Sequence, residues 1–190
     1  MLIVEWVAHM DAGDRRKWTV DQDTRPLSEL GWRQAERIYE ELAKSPVEGL
    51  YSSAALRSRQ TIEPLAKRFG LSIQILPGLH EMGDWQPPDA WRRQGFSAMD
   101  PLSGAYAAGL AMSAIRTIRE LHPAGRVVAC SHGDIQPALV LYLMGAFGLD
   151  VLPPVLPPAP WTRGGWYTLR FEGDGVEVEH YDVLPRFPQS

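Results

Sequence analysis

Two histidines stand immediately after short β-prone runs, His9 after Leu2–Ala8 and His132 two residues beyond Arg126–Cys130. Imidazole is the side chain whose proton moves near neutral pH, and it can serve as nucleophile, base or donor. A third run, Val47–Tyr51, leads into Ser52-Ser53 and Arg57, and a fourth, Ile73–Leu76, leads to Glu81. Arg presents a planar fork of donors suited to phosphate or carboxylate oxygens, and a carboxyl group can carry a proton to a leaving oxygen. Two imidazoles, a guanidinium and a carboxylate on one rim would hold an oxyanion and move protons around it. That requires the four runs to be strands of one parallel sheet, whose carboxyl ends share a rim.

The elements between the runs fit that requirement. Ser28 opens a helical pattern with Ala35, Ile38 and Leu42 on one face and Glu29, Arg33, Glu36, Arg37 and Glu40 on the other. Pro46 marks its end. A second helix spans Ala54 to Phe69 and closes at Gly70, where a left-handed residue is favoured. Ser103–Leu121 and Gly133–Met144 read as two more. Trp166–Phe171 and Val176–Tyr181 alternate around Glu172-Gly173-Asp174-Gly175, a hairpin signal. Strands alternating with helices specify an α/β layered domain. Glu5 is discordant within the first strand, since a buried unpaired carboxylate costs several kcal/mol by rough estimate, so it should sit at the wet end or have a partner. The long polar segment Gly13–Leu27 follows the first strand as a loop, where sites are built. From Pro77 to Pro101 periodicity fails, which predicts a lid or insertion over a pocket. Val151–Pro160 holds five of the 16 prolines and reads as a stiff connector, the feature a protein-interaction scaffold would use.

Composition narrows the partners. A chain of 190 residues with 45% hydrophobic and 22% charged residues predicts one globular domain. Its net charge of −4 has the wrong sign for a dedicated nucleic-acid binder, so a small molecule is the expected partner. The cations are 16 Arg and three Lys. No apolar run reaches the roughly 20 residues of a membrane span, and Glu5 interrupts the first one too soon for a signal-peptide core. A lone cysteine, Cys130, forms no intrachain disulfide, which suits a reducing cytoplasm. No cluster of His, Cys and Asp has ligand spacing, so neither a metal nor another cofactor is expected.

In combination the motifs resemble the histidine phosphatase superfamily, the phosphoglycerate-mutase-like enzymes, and within it the small SixA-like and actinobacterial phosphatases. Val7-Ala8-His9-Met10 stands where that family has Arg-His-Gly or Arg-His-Ala. Arg25-Pro26-Leu27-Ser28 with Gly31 and Gln34-Ala35 resembles its entry to the first helix, Ser52-Ser53 through Arg57 to Gln60-Thr61 its Ser-Ser-Pro…Arg…Gln-Thr segment, and Ser131-His132-Gly133 its second-histidine motif. The resemblance runs from Leu2 to about Gly145. It implies a three-layer α/β/α sandwich with a mostly parallel central sheet, and a phosphatase acting on a small phosphate monoester without a cofactor. It further implies that His9 takes the phosphoryl group as phosphohistidine, that Arg57, His132 and the Gly133 amide hold its oxygens, and that Glu81 is the acid, with Asp84 a rival.

The departures carry as much weight. The family's first arginine is Ala8 here, and the small residue after the nucleophile is Met10. An arginine acting on a phosphoryl-transfer transition state is worth about 10³-fold or more. Arg15, Arg16 and Arg59 are the cations near enough in sequence to compensate, while Met10 is expected to make the phosphate cup less polar. The alternative reading is a degenerate homologue that binds an anion, or performs different chemistry with His9 and His132. His80, His122 and His180 are expected to be structural or exposed, and Trp85 and Trp91 to pack in the lid.

Overall fold

The computed structural model describes residues 1–82, 89–93, 101–148 and 165–182. Asp84, Trp85, the 151–160 proline strip and most of the expected lid lie outside them, as do the side chains of Trp91 and His180.

Six strands form one sheet in the order β3-β2-β4-β1-β5-β6. They are β1 (Leu2–Ala8), β2 (Gly49–Ser52), β3 (Ile73–Ile75), β4 (Gly125–Ser131), β5 (Gly165–Glu172) and β6 (Gly175–Asp182). β1 to β4 run parallel, while the hairpin of β5 and β6 extends the sheet antiparallel beyond β1. The helices are α1 (Glu29–Leu42), α2 (Leu56–Phe69), the short α3 (Asp89–Arg92), α4 (Pro101–Leu121) and α5 (Ile135–Phe147). The helix expected from Gly133 begins at Ile135, because Gly133 and Asp134 form the turn before it.

Two cores define three layers. Along β4, Val127 and Ala129 face one core with Ile115 and Ile118 of α4 and Leu139 and Leu143 of α5. Val128 and Cys130 face the other, with Ile38 and Leu42 of α1 and Ile62 and Leu65 of α2. A strand buried on both faces shows a continuous apolar run rather than alternation, and β4 has that pattern. The α/β/α sandwich with a mostly parallel sheet is therefore what forms. Register does the positioning: Ala8 pairs with Ser131 and Ser52 with Cys130, so β1, β4 and β2 end in one row. His9, His132 and Ser53 leave the sheet from that row.

Glu5 has the partner its burial demands. Arg126 Nε donates to Oε1 at 2.8 Å, and Trp166 Nε1 and Thr168 Oγ1 donate to Oε2. This joins β1 to β4 on one side and to β5 on the other. Removing one partner of a buried ion pair leaves a charge uncompensated. Arg126→Ala is expected to lower stability by about 3 kcal/mol, read from urea unfolding; a loss within experimental error would show that Trp166 and Thr168 suffice.

Candidate active site

The loop after β1 is pinned from two helices. Ser28, the N-cap of α1, accepts from Gly31 N at 3.0 Å, donates its hydroxyl to Asp11 Oδ1 at 2.6 Å, and donates its amide to Asp11 O at 2.9 Å. A Cβ at Gly31 would lie 1.9 Å from that carbonyl oxygen, so glycine is what permits α1 to approach so closely. From α2, Thr61 Oγ1 accepts from Met10 N at 3.0 Å while donating to Arg57 O at 2.8 Å. Met10 does not line the cup. Its side chain is fully buried with Val7, Leu27 and Ile38, because the chain turns past the end of β1 and carries it into the core under α1 and α2.

What Met10 offers the site is its carbonyl, 2.7 Å from His9 Nδ1. A carbonyl only accepts, so Nδ1 carries the proton. Arg57 Nε donates to His9 Nε2 at 3.2 Å, which places the lone pair on Nε2. His9 is thus a neutral imidazole whose unprotonated nitrogen faces a guanidinium. Arg57 is fully buried. Its Nη1 donates to Gln22 O at 2.6 Å, and its Nη2 lies 3.1 Å from Glu81 Oε1 and 3.4 Å from His132 Nδ1. The His9 and His132 rings meet edge to face, with centroids 5.2 Å apart.

Donation from Arg57 to His132 Nδ1 leaves His132 Nε2–H to donate to Ser53 Oγ at 2.9 Å. Burial, then the neighbouring His9 ring and the cations Arg57, His80 and Arg25, hold the His132 pKa well below its usual value, so it is neutral at pH 7. A dianion beside Nδ1 would reverse that balance and draw a proton onto the ring. Sulfate, which does not titrate near neutrality, is expected to bind with proton uptake and to weaken as pH rises, since the tight complex holds the protonated ring. Calorimetry in two buffers of different ionisation enthalpy measures this; buffer-independent heats would contradict it.

A cleft of about 450 Å³ opens above these groups, lined among others by Ala8, His9, Arg15, Arg25, Glu81, His132, Gly133 and Asp134. The structure therefore brings His9, Arg57, His132, Glu81 and Gly133 together. Of the three expected compensating cations, only Arg15 reaches the cleft, where its half-exposed Nη1 lies 3.6 Å from Glu81 Oε2. Arg16 is 91% exposed and pairs with Asp14, and Arg59 lies exposed on α2.

The cation overlooked in the sequence is Arg25. Its side chain is buried, with Nη1 donating to Ala12 O and Gly13 O at 2.9 and 3.1 Å and Nε to Gln22 Oε1 at 3.1 Å. It opens the Arg25-Pro26-Leu27-Ser28 segment, a signal that was visible in the sequence but carried no direction for the side chain. A second overlooked group is Asp134, the N-cap of α5, which accepts from Ile135 N and Met82 N, each at 3.1 Å. Burial raises its pKa against those hydrogen bonds, and Glu81 nearby adds to the rise. The third is His80, expected to be structural or exposed. It is half-buried, with its ring 5.7 Å from that of His132. His122 is structural as expected, hydrogen-bonded to Tyr51 Oη at 2.7 Å.

Cys130 lies fully buried beneath the site, where burial pushes its thiol up to about 12, so it is inert. Among the described residues no group of three or more His, Cys, Asp or Glu is placed to hold a metal ion, and no helix is long and apolar enough to cross a membrane.

Known proteins share this arrangement of elements. Bacillus stearothermophilus YhfR superposes with a TM-score of 0.69 at 20% identity, over 97% of this chain and 98% of its own. A mycobacterial glucosyl-3-phosphoglycerate phosphatase solved with vanadate superposes at 0.67 and 19% identity, over 96% and 99%. An 8-oxo-(d)GTP phosphatase of Mycolicibacterium smegmatis is 29% identical over 134 residues, which span 70% of this chain but only 35% of that protein's length. The sequence model of histidine phosphatase superfamily branch 1 matches residues 9–183, from the histidine after β1 through the last strand, and the chain belongs to that family.

Proposed function

We propose that the protein hydrolyses a small phosphate monoester in two steps, with His9 Nε2 as nucleophile. Nε2 attacks phosphorus, the ester P–O bond breaks, and the leaving oxygen takes a proton from a carboxyl group at the cleft. Water then attacks the phosphohistidine, gives its proton to that carboxylate, and releases inorganic phosphate. Phosphoryl transfer depends on positioning and on neutralising the equatorial oxygens. Arg57, Arg25, a protonated His132 and the Gly133 amide are the groups for that task. Glu81 already lies against Arg57 and Arg15, so an entering phosphoryl group displaces its carboxylate toward the mouth, where, among the described residues, it and Asp134 are candidates for the acid.

The observation that carries this reading is the proton assignment at His9: Nδ1–H held by Met10 O, and Nε2 turned to the buried Arg57. The phosphorylated substrates named for relatives, a glycosylated phosphoglycerate and an oxidised nucleotide, support a small anionic substrate. The test is hydrolysis of an aryl phosphate, with the phosphoenzyme trapped by rapid denaturation; trapping in the native chain and not in a His9 variant is the expected result. Hydrolysis equal in both would overturn it.

Ala8 favours one other reading, a homologue that binds an anion without turning it over, because no arginine follows from β1 itself. Under that reading sulfate binds but no phosphoenzyme forms.

A further inference from the structure

His80 and Asp23 form a pair that the reaction above does not use. His80 Nδ1 lies 3.0 Å from the backbone oxygen of Glu81, and Nε2 lies 3.1 and 2.9 Å from the two carboxylate oxygens of Asp23. Carbonyl and carboxylate oxygens only accept, so both ring nitrogens donate and His80 is an imidazolium.

Its partners connect two parts of the site. Asp23 belongs to the turn Gln22–Thr24, fixed by the Asp21 side chain accepting from Asp23 N at 2.9 Å. That turn gives Gln22 O to Arg57 and Gln22 Oε1 to Arg25. On the other side, His80 holds the backbone of Glu81, whose carboxylate meets Arg57 Nη2. The contacts close a ring from His80 through Asp23, Gln22, Arg57 and Glu81 back to His80. The short helical turn Pro77–Leu79 anchors the near side: a Cβ at Gly78 would lie 2.4 Å from Leu110 O of α4, so this segment has little room to shift.

We propose that the His80–Asp23 ion pair is a positioning device that clasps the Gln22–Thr24 turn to the Glu81 segment, holds Arg57 and Arg25 in place for the anion, and releases when His80 loses its proton. The catalytic consequence rests on the phosphatase reading above; the effect on anion binding does not. The groups facing His80 are Asp23 from the turn, Glu81 on its own segment and His132 beyond β4. Burial opposes the charge, but hydrogen bonds to Asp23 and the Glu81 carbonyl, with the charges of Asp23 and Glu81, raise the pKa above its usual value. The clasp is therefore closed at lower pH and opens as pH rises through that raised value.

Three proteins test this: native, Asp23→Asn and His80→Gln, each checked for an unchanged thermal unfolding midpoint. The readouts are sulfate affinity, the imidazole titration by NMR, and the pH profile of kcat/KM on an aryl phosphate. Asp23→Asn should weaken sulfate about tenfold near neutrality and lower the His80 titration by about one unit. Its alkaline limb should begin correspondingly earlier. Gln retains one N–H but can neither carry the charge nor titrate, so His80→Gln should weaken sulfate about as much as Asp23→Asn near neutrality and lose that limb. Native sulfate affinity with an unmoved limb in Asp23→Asn would overturn the proposal. Absence of His9-dependent turnover in the native chain, with sulfate affinity still lowered by Asp23→Asn, would instead defeat the phosphatase reading and leave the clasp standing.

Discussion

Replacing His9 by Asn is expected to lower kcat/KM on an aryl phosphate by about 10⁵-fold, the scale on which loss of a covalent nucleophile registers when the rest of a site remains. Asn is the informative choice because its side-chain N–H can still donate to Met10 O, so the loop after β1 keeps the contact that orients residue 9. Arg57, His132 and Ser53 keep their mutual contacts. What disappears is the lone pair at Nε2. The variant should still bind sulfate and should form no acid-sensitive phosphoenzyme. Turnover within tenfold of native would mean that water attacks phosphorus directly and that His9 only binds.

Arg25→Met is expected to lower kcat/KM by about 10³-fold, as for an arginine that acts on the transferred phosphoryl group. Ala8 lines the cleft at the position where the resemblance drawn from the sequence leads one to expect an arginine. Arg25 is a buried cation lining that cleft, tied to Gln22 as Arg57 is, and its charge acts on His132. Its bonds to Ala12 O and Gly13 O also order the loop, so reduced activity in Arg25→Met alone would not separate chemistry from structure. The decisive comparison is Ala8→Arg added to Arg25→Met. If Arg25 performs the task of the missing arginine, the second change restores at least tenfold of the loss, whereas in the native background Ala8→Arg changes little. No rescue, together with a large gain from Ala8→Arg alone, would mark a lapsed phosphatase and assign Arg25 to loop structure.

Several parts of the molecule were legible in the chain itself. The apolar runs before His9, Ser53 and His132 are buried on both faces and therefore read as continuous stretches, which is why strand positions and the order of helices and strands came out with shifts of only a few residues. The Ser28–Gly31 entry to α1 was legible as a cap, and Glu5 as a residue in need of a partner. Arg126, Trp166 and Thr168 were not legible as that partner, since they come from strands over a hundred residues away. Met10 was misread for a related reason: a residue just past a strand can continue inward or turn to the cleft, and only packing against Leu27 and Ile38 decides which.

Residue order along the chain suffices to read the α/β/α layering and the family, and it puts His9, Arg57, Glu81, His132 and Gly133 near strand ends that share a rim, because residue types at strand ends and their order are local properties of the chain. Only the fold settles which nitrogen of His9 carries the proton, that Arg25 and not Arg16 or Arg59 lines the cleft, and that His80 stands between a carboxylate and a carbonyl. Each of those depends on an acceptor, a carbonyl or a carboxylate supplied by a distant segment. Charge and tautomer follow the partner within hydrogen-bond reach, and a linear pattern records residue types without recording that reach.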